Sequence, residues 1–384
     1  MAEPAVPAVP DLDALAPMDV AGRAPRLQAL LGGAGLDGLL VTNLTNIRYL
    51  TGFTGSAALL LVLPDRLTLV TDGRYGDQAE AQLATAGTPG RVRVAPNGPA
   101  LIAAVAAESS GFGALGFEAH DVTVHQHTQL QSAGLPRLVP TVGLVEAGRR
   151  RKDAAEIAAI ARACAIADQA LAEVLADLPG GLTEADVRNR LDARMRELGA
   201  SGPSYDTIVA TGPVNGALPH HRPTSTPLTA GDLVVIDVGA LVDGYHSDMT
   251  RTFCVGPPTA DQLDKYDLVL RAQLAGLAAV RPGTTGRDVD AACRSIISDA
   301  GLGEWFSHGT GHGVGLLIHE DPYNTAASTD VLADGDVVTV EPGVYRGGFG
   351  GIRVEDLVVV TSDGCRVLTS SPKDSLCPLS PPTT

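Results

Sequence analysis

Leu233-Val-Val-Ile-Asp237-Val-Gly-Ala-Leu-Val-Asp243-Gly244-Tyr-His-Ser-Asp248-Met-Thr-Arg-Thr-Phe253 places one acid inside an apolar run and another across a tight turn. The run of Val and Ile reads as a buried strand. A lone carboxylate there is costly unless it is paired or binds a metal. Asp243-Gly244 is a strong signal for a two-residue hairpin turn. With that dipeptide at the turn centre, Val242 faces Tyr245 and Gly239 faces Asp248. Asp237 shares a face with Gly239, so Asp237 and Asp248 become diagonal cross-strand neighbours, roughly 7–8 Å apart at the backbone. Their carboxylates can converge on one small cation or a pair. A solvated hairpin carrying two acids is the alternative, and the apolar flank of Asp237 weighs against it.

The same logic recurs about a hundred residues on. Asp336-Val-Val-Thr-Val-Glu341 reads as a strand ending on a carboxylate and stopped by Pro342-Gly343. Gly350-Gly-Ile-Arg353-Val-Glu355-Asp-Leu-Val-Val-Val360 reads as one further strand, with Arg353 and Glu355 on a common face. Four acids meeting in one place would repel strongly without cations. Between the two pairs lies Ser307-His308-Gly-Thr-Gly-His312-Gly-Val-Gly315-Leu-Leu-Ile-His319-Glu320. Its glycines permit turns and close approach, but no Lys-Ser/Thr follows as in a phosphate-binding P-loop. Six of the nine histidines fall between positions 220 and 319. Singly, each would read as a structural residue; three in one Gly-rich segment beside four acids point to a metal site. An oxygen-rich donor set with one imidazole suits manganese, with cobalt, iron or zinc as substitutes. Two ions ~3.5–4 Å apart, sharing carboxylates, would be an arrangement used for hydrolysis.

Helical periodicity over Ile157, Ile160, Cys164, Ala167, Leu171, Val174 and Leu178 predicts a long helix, ended by Pro179-Gly180-Gly181. Thr183-x-x-Asp186 caps a second helix that Gly199 closes. Strands follow. Thr259-x-x-Gln262 then caps a helix to about Val280, and another runs from about Arg287 to Ala300 before the strands at 337–341 and 352–360. Helix-helix-strands therefore occurs twice, which predicts two halves related by a pseudo-two-fold with a site in the seam.

Upstream, Gly38–Val41, a hairpin of Leu59–Leu63 and Leu67–Thr71 about Pro64-Asp65, a helix near Gly73–Ala84, and strands at Arg91–Val94 and Ala114–Phe117 predict a small α/β domain. The basic run Arg149-Arg150-Arg151-Lys152 marks its end. The expected organisation is a tail over 1–24, an N-terminal domain over 25–148 and a larger domain over 152–384. Residues 371–384, rich in proline, read as a surface strap or tail.

Composition bounds the function. The chain has 384 residues, 45% apolar and 19% charged, with mean hydropathy +0.13. Lys and Arg number 28 against 44 Asp and Glu, a net charge of -16, which repels phosphate backbones and anionic membranes. No run is long and apolar enough to span a bilayer, and the N-terminus lacks a secretory pattern. Neither a nucleic-acid nor a membrane partner is expected. Five cysteines, Cys164, Cys254, Cys293, Cys365 and Cys377, with no C-x-x-C pair, suggest the reducing cytoplasm.

Asp237, Asp248, His312 within Gly-His-Gly-x-Gly, Glu341-Pro-Gly and Glu355 together resemble, in order and spacing, the five metal ligands of the pita-bread metallopeptidases. That family spans creatinase, prolidase, aminopeptidase P and methionine aminopeptidase. Asn46-Ile-Arg-Tyr-Leu-Thr-Gly-Phe-Thr-Gly-Ser56 and Thr71-Asp-Gly-Arg-Tyr75 resemble the N-terminal domain of its creatinase and prolidase branch. The resemblance implies an α/β (α+β) protein with a creatinase-like domain followed by a pita-bread catalytic domain, and two divalent ions per subunit, manganese first. It places His220, His308, His319 and Arg353 at positions associated with substrate; His220 is favoured over His221 by its spacing to Asp237.

The implied activity is hydrolysis of the peptide bond before proline, with Glu341 as general base, His319 at the reacting carbonyl and His220 on the intermediate. Proline-containing peptides are the implied substrates. Removal of one N-terminal residue from longer peptides is preferred over a dipeptidase, because several dipeptidases of the family it resembles carry an Arg soon after the position of His319, and Glu320 to Val340 has no Arg or Lys. A non-catalytic binding module is disfavoured because all five ligands stand. A symmetric homodimer is expected through the N-terminal domain, with the segment from Asn46 to Ser56 as a packed or interfacial loop.

Overall fold

The computed structural model describes residues 18–176 and 181–379, which fall into two compact units, 18–149 and 150–379. The expected end of the long helix at Pro179-Gly180 lies outside the described residues, as does most of the expected N-terminal tail.

The N-terminal unit comprises α1 (Arg23–Leu31), β1 (Gly38–Val41), α2 (Leu44–Thr51), β2 (Ala58–Leu63), β3 (Arg66–Asp72), α3 (Gly76–Thr85), β4 (Arg91–Ala95), α4 (Gly98–Glu108), β5 (Ala114–Glu118), α5 (Val124–Ser132), β6 (Arg137–Thr141) and α6 (Glu146–Arg150). The first helix begins two residues inside the stretch read as tail. The strands form one mixed sheet in the order β4-β3-β2-β1-β5-β6. Leu63 pairs with Arg66 across Pro64-Asp65, as the turn signal predicts. Leu40, Leu61, Val70 and Leu115 face Leu101 and Val105 in the core. The segment read as a loop from Asn46 is instead largely helical. Asn43 caps α2 by accepting from the amides of Thr45 and Asn46, and Gly52 closes it in a left-handed turn at φ 75°. Ile47, Leu50 and Phe53 are buried, so the segment fills its own unit's core.

The second unit begins with α7 (Ala154–Ala176) and α8 (Glu184–Glu197). It continues with β7 (Gly202–Pro203), β8 (Ile208–Thr211), α9 (Gly212–Asn215), β9 (Leu233–Asp237), β10 (Ala240–Val242), β11 (Tyr245–His246) and β12 (Thr250–Val255). Two more helices follow, α10 (Ala260–Ala279) and α11 (Gly286–Asp299). Then come β13 (Gly311–Gly313), β14 (Glu320–Asn324), β15 (Val337–Val340), β16 (Gly343–Arg346), β17 (Gly350–Arg353), β18 (Asp356–Thr361), β19 (Gly364–Val367) and β20 (Cys377–Leu379). Capping boxes start α8, α10 and α11 at Thr183, Thr259 and Thr285.

The two halves repeat their strand pairing. One sheet runs β20-β12-β9-β8 and the other β14-β13-β15-β18-β19, so antiparallel β8-β9-β12 matches antiparallel β13-β15-β18. Each half has its own core: Ile166, Leu191 and Met195 pack with Val234 and Ile236 in the first, Tyr266, Val289 and Ile297 with Val338 and Val358 in the second. The hairpin register is the one read from Asp243-Gly244. Val242 faces Tyr245 and Thr250 faces Asp237, with Asp243 and Gly244 at φ 45° and 74°.

One reading of this unit changes. The strand expected over 350–360 is two strands in different sheets, broken at Val354-Glu355. The break arises because β17 pairs with β16 whereas β18 pairs with β15. Over 371–379, β20 joins β12 in parallel and the carbonyl of Ser371 accepts from Arg251, which straps this segment onto the sheet.

Candidate metal centre

The repeat places the acids symmetrically. Asp237 ends β9 and Asp248 lies two residues before β12; Glu341 follows β15 and Glu355 precedes β18. Each half thus contributes one carboxylate from the end of its middle strand and one from the start of the next. Asp248, His312 and Glu355 each bring one ligand atom to within 4.8 Å of the others. Asp237 and Glu341 line the same cavity of about 390 Å³.

Few donors serve these oxygens. Glu355 Oε2 accepts from Thr250 Oγ1 at 2.6 Å and Glu341 Oε1 from Thr339 Oγ1 at 3.0 Å. Asp237 Oδ2 accepts from Arg353 Nη2 at 2.6 Å. The Tyr205 hydroxyl touches Oδ1 of both Asp237 and Asp248. It donates towards both, sharing one proton between the two acids. Burial, then Asp237 and Glu341, push the Asp248 pKa well above the usual carboxylate range. Burial, then Asp248 and Glu341, do the same to Glu355.

His312 is prepared as a ligand. Its Nδ1 lies 3.1 Å from the carbonyl of Gly313, which can only accept, so Nδ1 carries the proton. The Nε2 lone pair faces Asp248 Oδ2 at 3.5 Å and Glu341 Oε1 at 3.4 Å. Burial lowers the ring's pKa and keeps it neutral. A neutral imidazole beside four crowded carboxylates is a donor set that divalent cations fit, replacing protons the acids would otherwise hold.

The other sequence-selected residues gather at this cavity in different ways. His319 packs edge-on against His312, ring centroids 4.4 Å apart. His220 lines the cavity from an exposed position, whereas the neighbouring His221 is buried against Glu184 Oε2 at 2.8 Å. His308 donates through Nδ1 to the carbonyl of Gly309 at 2.7 Å. Its Nε2 therefore accepts from the Tyr345 hydroxyl at 3.1 Å, and that hydroxyl accepts from Arg353 Nη1 at 2.7 Å. Arg353 is almost fully buried and also donates to Thr250 Oγ1 and the carbonyl of Pro219. Both nitrogens of His308 and most donors of Arg353 are thus already engaged by the protein.

Tyr205, Tyr345, Thr250, Thr339 and Arg222 escaped the sequence reading. Thr250 and Thr339 sit in the quoted strands and share their acids' neighbourhood, a signal that alternation could have yielded. Tyr205 and Arg222 lie in irregular segments without a period, and Arg222 lines the cavity from outside the span Glu320 to Val340.

Residues 158–362 match the model of metallopeptidase family M24, and residues 23–150 that of the creatinase/prolidase N-terminal domain. The uncharacterized peptidase YqhT of Bacillus subtilis is 40% identical over 352 residues, 91% of this chain and 98% of the relative. An Xaa-Pro dipeptidase from Bacillus anthracis superposes with TM-score 0.89 at 39% identity, over 93% of this chain and 99% of that one. An X-Pro aminopeptidase from Thermotoga maritima does so with TM-score 0.84 at 33% identity, over 92% and 99%.

Proposed function

We propose that this chain, which belongs to metallopeptidase family M24, hydrolyses the Xaa-Pro bond at the N-terminus of peptides with two divalent ions held by Asp237, Asp248, His312, Glu341 and Glu355. The observation that carries the reading is the convergence of Asp248, Glu341 and Glu355 on His312, with Asp237 lining the same cavity. Manganese is the first choice for so oxygen-rich a set, with cobalt, zinc or iron as substitutes. Ions held there would supply Lewis acidity and lower the pKa of a water.

Glu341, the most exposed of the acids at 16% and 3.4 Å from His312, accepts the water's proton as general base. His319 donates to the developing oxyanion. His220, free at the cavity edge, steadies the tetrahedral intermediate. Arg353 and His308 form the wall along which the peptide lies, and Arg353 holds Asp237 in place at the same time. Proline's fixed φ and missing N–H give the cavity a shape to select.

Removal of one residue from longer peptides is the favoured specificity, given the absence of Arg and Lys over Glu320 to Val340. Arg222 supports a dipeptidase as the second reading: it lines the cavity on an exposed position and could take a dipeptide's carboxylate. Hydrolysis of an Xaa-Pro dipeptide and an Xaa-Pro-Xaa tripeptide by manganese-loaded protein tests both. Cleavage of the tripeptide at higher kcat/KM supports the aminopeptidase, dipeptide-only cleavage the dipeptidase, and cleavage of neither rejects the proposal.

A homodimer belongs to the proposal on the general ground that two-fold dimers are the commonest soluble oligomers. Light scattering giving the 39.4 kDa of one chain would refute it. A reducing compartment is supported by the free thiols of Cys164, Cys254, Cys293 and Cys365. Among the described residues no helix is long and apolar enough to cross a membrane.

A further inference from the structure

Lys152 opens the second unit, more than 150 residues before the Gly-rich histidine segment, and nothing in the metal centre uses it. Its ammonium is nonetheless buried, with side-chain exposure of 1%, and stands 2.8 Å from Oε1 of Glu320, whose side chain is 8% exposed. The approach is off the hydrogen-bond axis, so charge, not an aligned hydrogen bond, holds the two together. Burying two charges is expensive, and an apolar pair of the same volume commonly serves stability as well or better. What an ion pair adds is a fixed geometry.

That geometry has been given room. A Cβ at Gly315 would stand 2.3 Å from Glu320 Oε1 and 3.0 Å from Lys152 Cε, so a larger residue there would push the pair out of its present geometry. The other end is anchored as well. The Lys152 amide donates to the carbonyl of Gly335 at 3.0 Å, and the Gly335 amide to the carbonyl of Val360. Lys152 therefore reaches Glu320 from a backbone tied to the sheet that carries Glu341 and Glu355.

Glu320 is the first residue of β14 and pairs with Gly313, the neighbour of His312. His319 precedes it, at the end of a bend over 315–319 that lies in neither strand. The bend is tied at its start, where Val314 donates to Val337 and Gly315 accepts from His246. Its far end rests on Glu320. We propose that Lys152 is a positioning residue: through its ion pair with Glu320 it fixes the end of the bend and so holds the His319 imidazole against His312 and over the cavity. This inference rests on the proposed role of His319 in hydrolysis.

The test is a double-mutant cycle on manganese-loaded full-length protein, with metal content measured for each variant. Lys152→Met should lower kcat by roughly 10-fold or more, the scale of a misplaced catalytic group, with KM within about two-fold and metal unchanged. In a His319→Ala background the same change should cost nothing further. Lys152→Met with Glu320→Met should recover thermal stability but not kcat. An additive loss in the His319→Ala background, or recovered kcat in the apolar double variant, would overturn the proposal. A readout without turnover separates it from the functional reading. The ring signals of His319 in protein loaded with diamagnetic zinc should broaden or split in Lys152→Met, and unchanged signals would reject the inference even if no Xaa-Pro peptide were ever cleaved. Failure of wild-type protein to cleave such peptides, with the ring signals perturbed, would reject the activity alone.

Discussion

Among the described residues, two groups of acid and histidine meet burial in different ways. In the N-terminal unit Glu118, His120 and Glu146 bring ligand atoms within 4.8 Å of one another. Glu118 is buried, but its oxygens accept from the amides of Thr42 and Asn43 at 2.7 and 2.8 Å and from Asn46 Nδ2 at 2.5 Å. Asn46 serves Glu146 as well. Burial still raises the Glu118 pKa, against the pull of these donors. In the second unit Asp248 and Glu355 are equally buried, and after burial the largest influences on them are other acids. An acid surrounded by N–H groups has its charge balanced by the fold. Acids surrounded by acids leave that balance to protons or cations.

The sharpest way to break this contrast is to remove an acid from each group. Glu355→Ala or Asp248→Ala should abolish both metal binding and peptide hydrolysis, a loss of about 10³-fold or more, read by elemental analysis and a peptidase assay. Retained metal and rate in both variants would mean that the acids are merely structural. His319→Ala should be milder: kcat falls by roughly 10²–10³ while metal content holds. An ordinary kcat would remove His319 from the reaction.

Titration sharpens the contrast further. Raised pKa values mean that the metal-free fold holds protons the unfolded chain has released. Stability of metal-free protein should then fall as pH rises above about 5, whereas the loaded protein should not follow that trend. Manganese binding should also release protons, seen as a buffer-dependent heat in calorimetry. A buffer-independent heat near neutral pH would contradict the raised values. The smallest effect belongs to the N-terminal group. Glu118→Gln leaves backbone amides poorly served and should cost about 1–3 kcal/mol of stability by denaturant unfolding, with metal content and kcat unchanged. Loss of a bound metal in that variant would erase the distinction.

Much of the second unit was legible in the sequence because its signals are local. Asp243-Gly244 fixes the register that carries Asp237 and Asp248, and Thr-x-x-acid or Thr-x-x-Gln boxes mark the helix starts. The break at Val354-Glu355 was not legible. Arg353, Glu355 and Asp356 interrupt the apolar residues there, but all three are buried, so the pattern looks the same whether it serves one sheet or passes between two. The helix from Leu44 was hidden because its start signal, Asn43, lies just outside the motif that drew attention. Tyr205 and Lys152 were missed for a third reason: each acts across long sequence separation on groups that no spacing rule connects to it.

The acids of the two halves, with His312, are proposed to hold a pair of divalent ions needed for peptide hydrolysis. Chelated protein titrated with manganese, with bound metal and Xaa-Pro hydrolysis followed together, tests it most directly. Two ions should bind per chain, with no hydrolysis in the chelated protein and activity returning as the ions bind. Full hydrolysis by verified metal-free protein would contradict it.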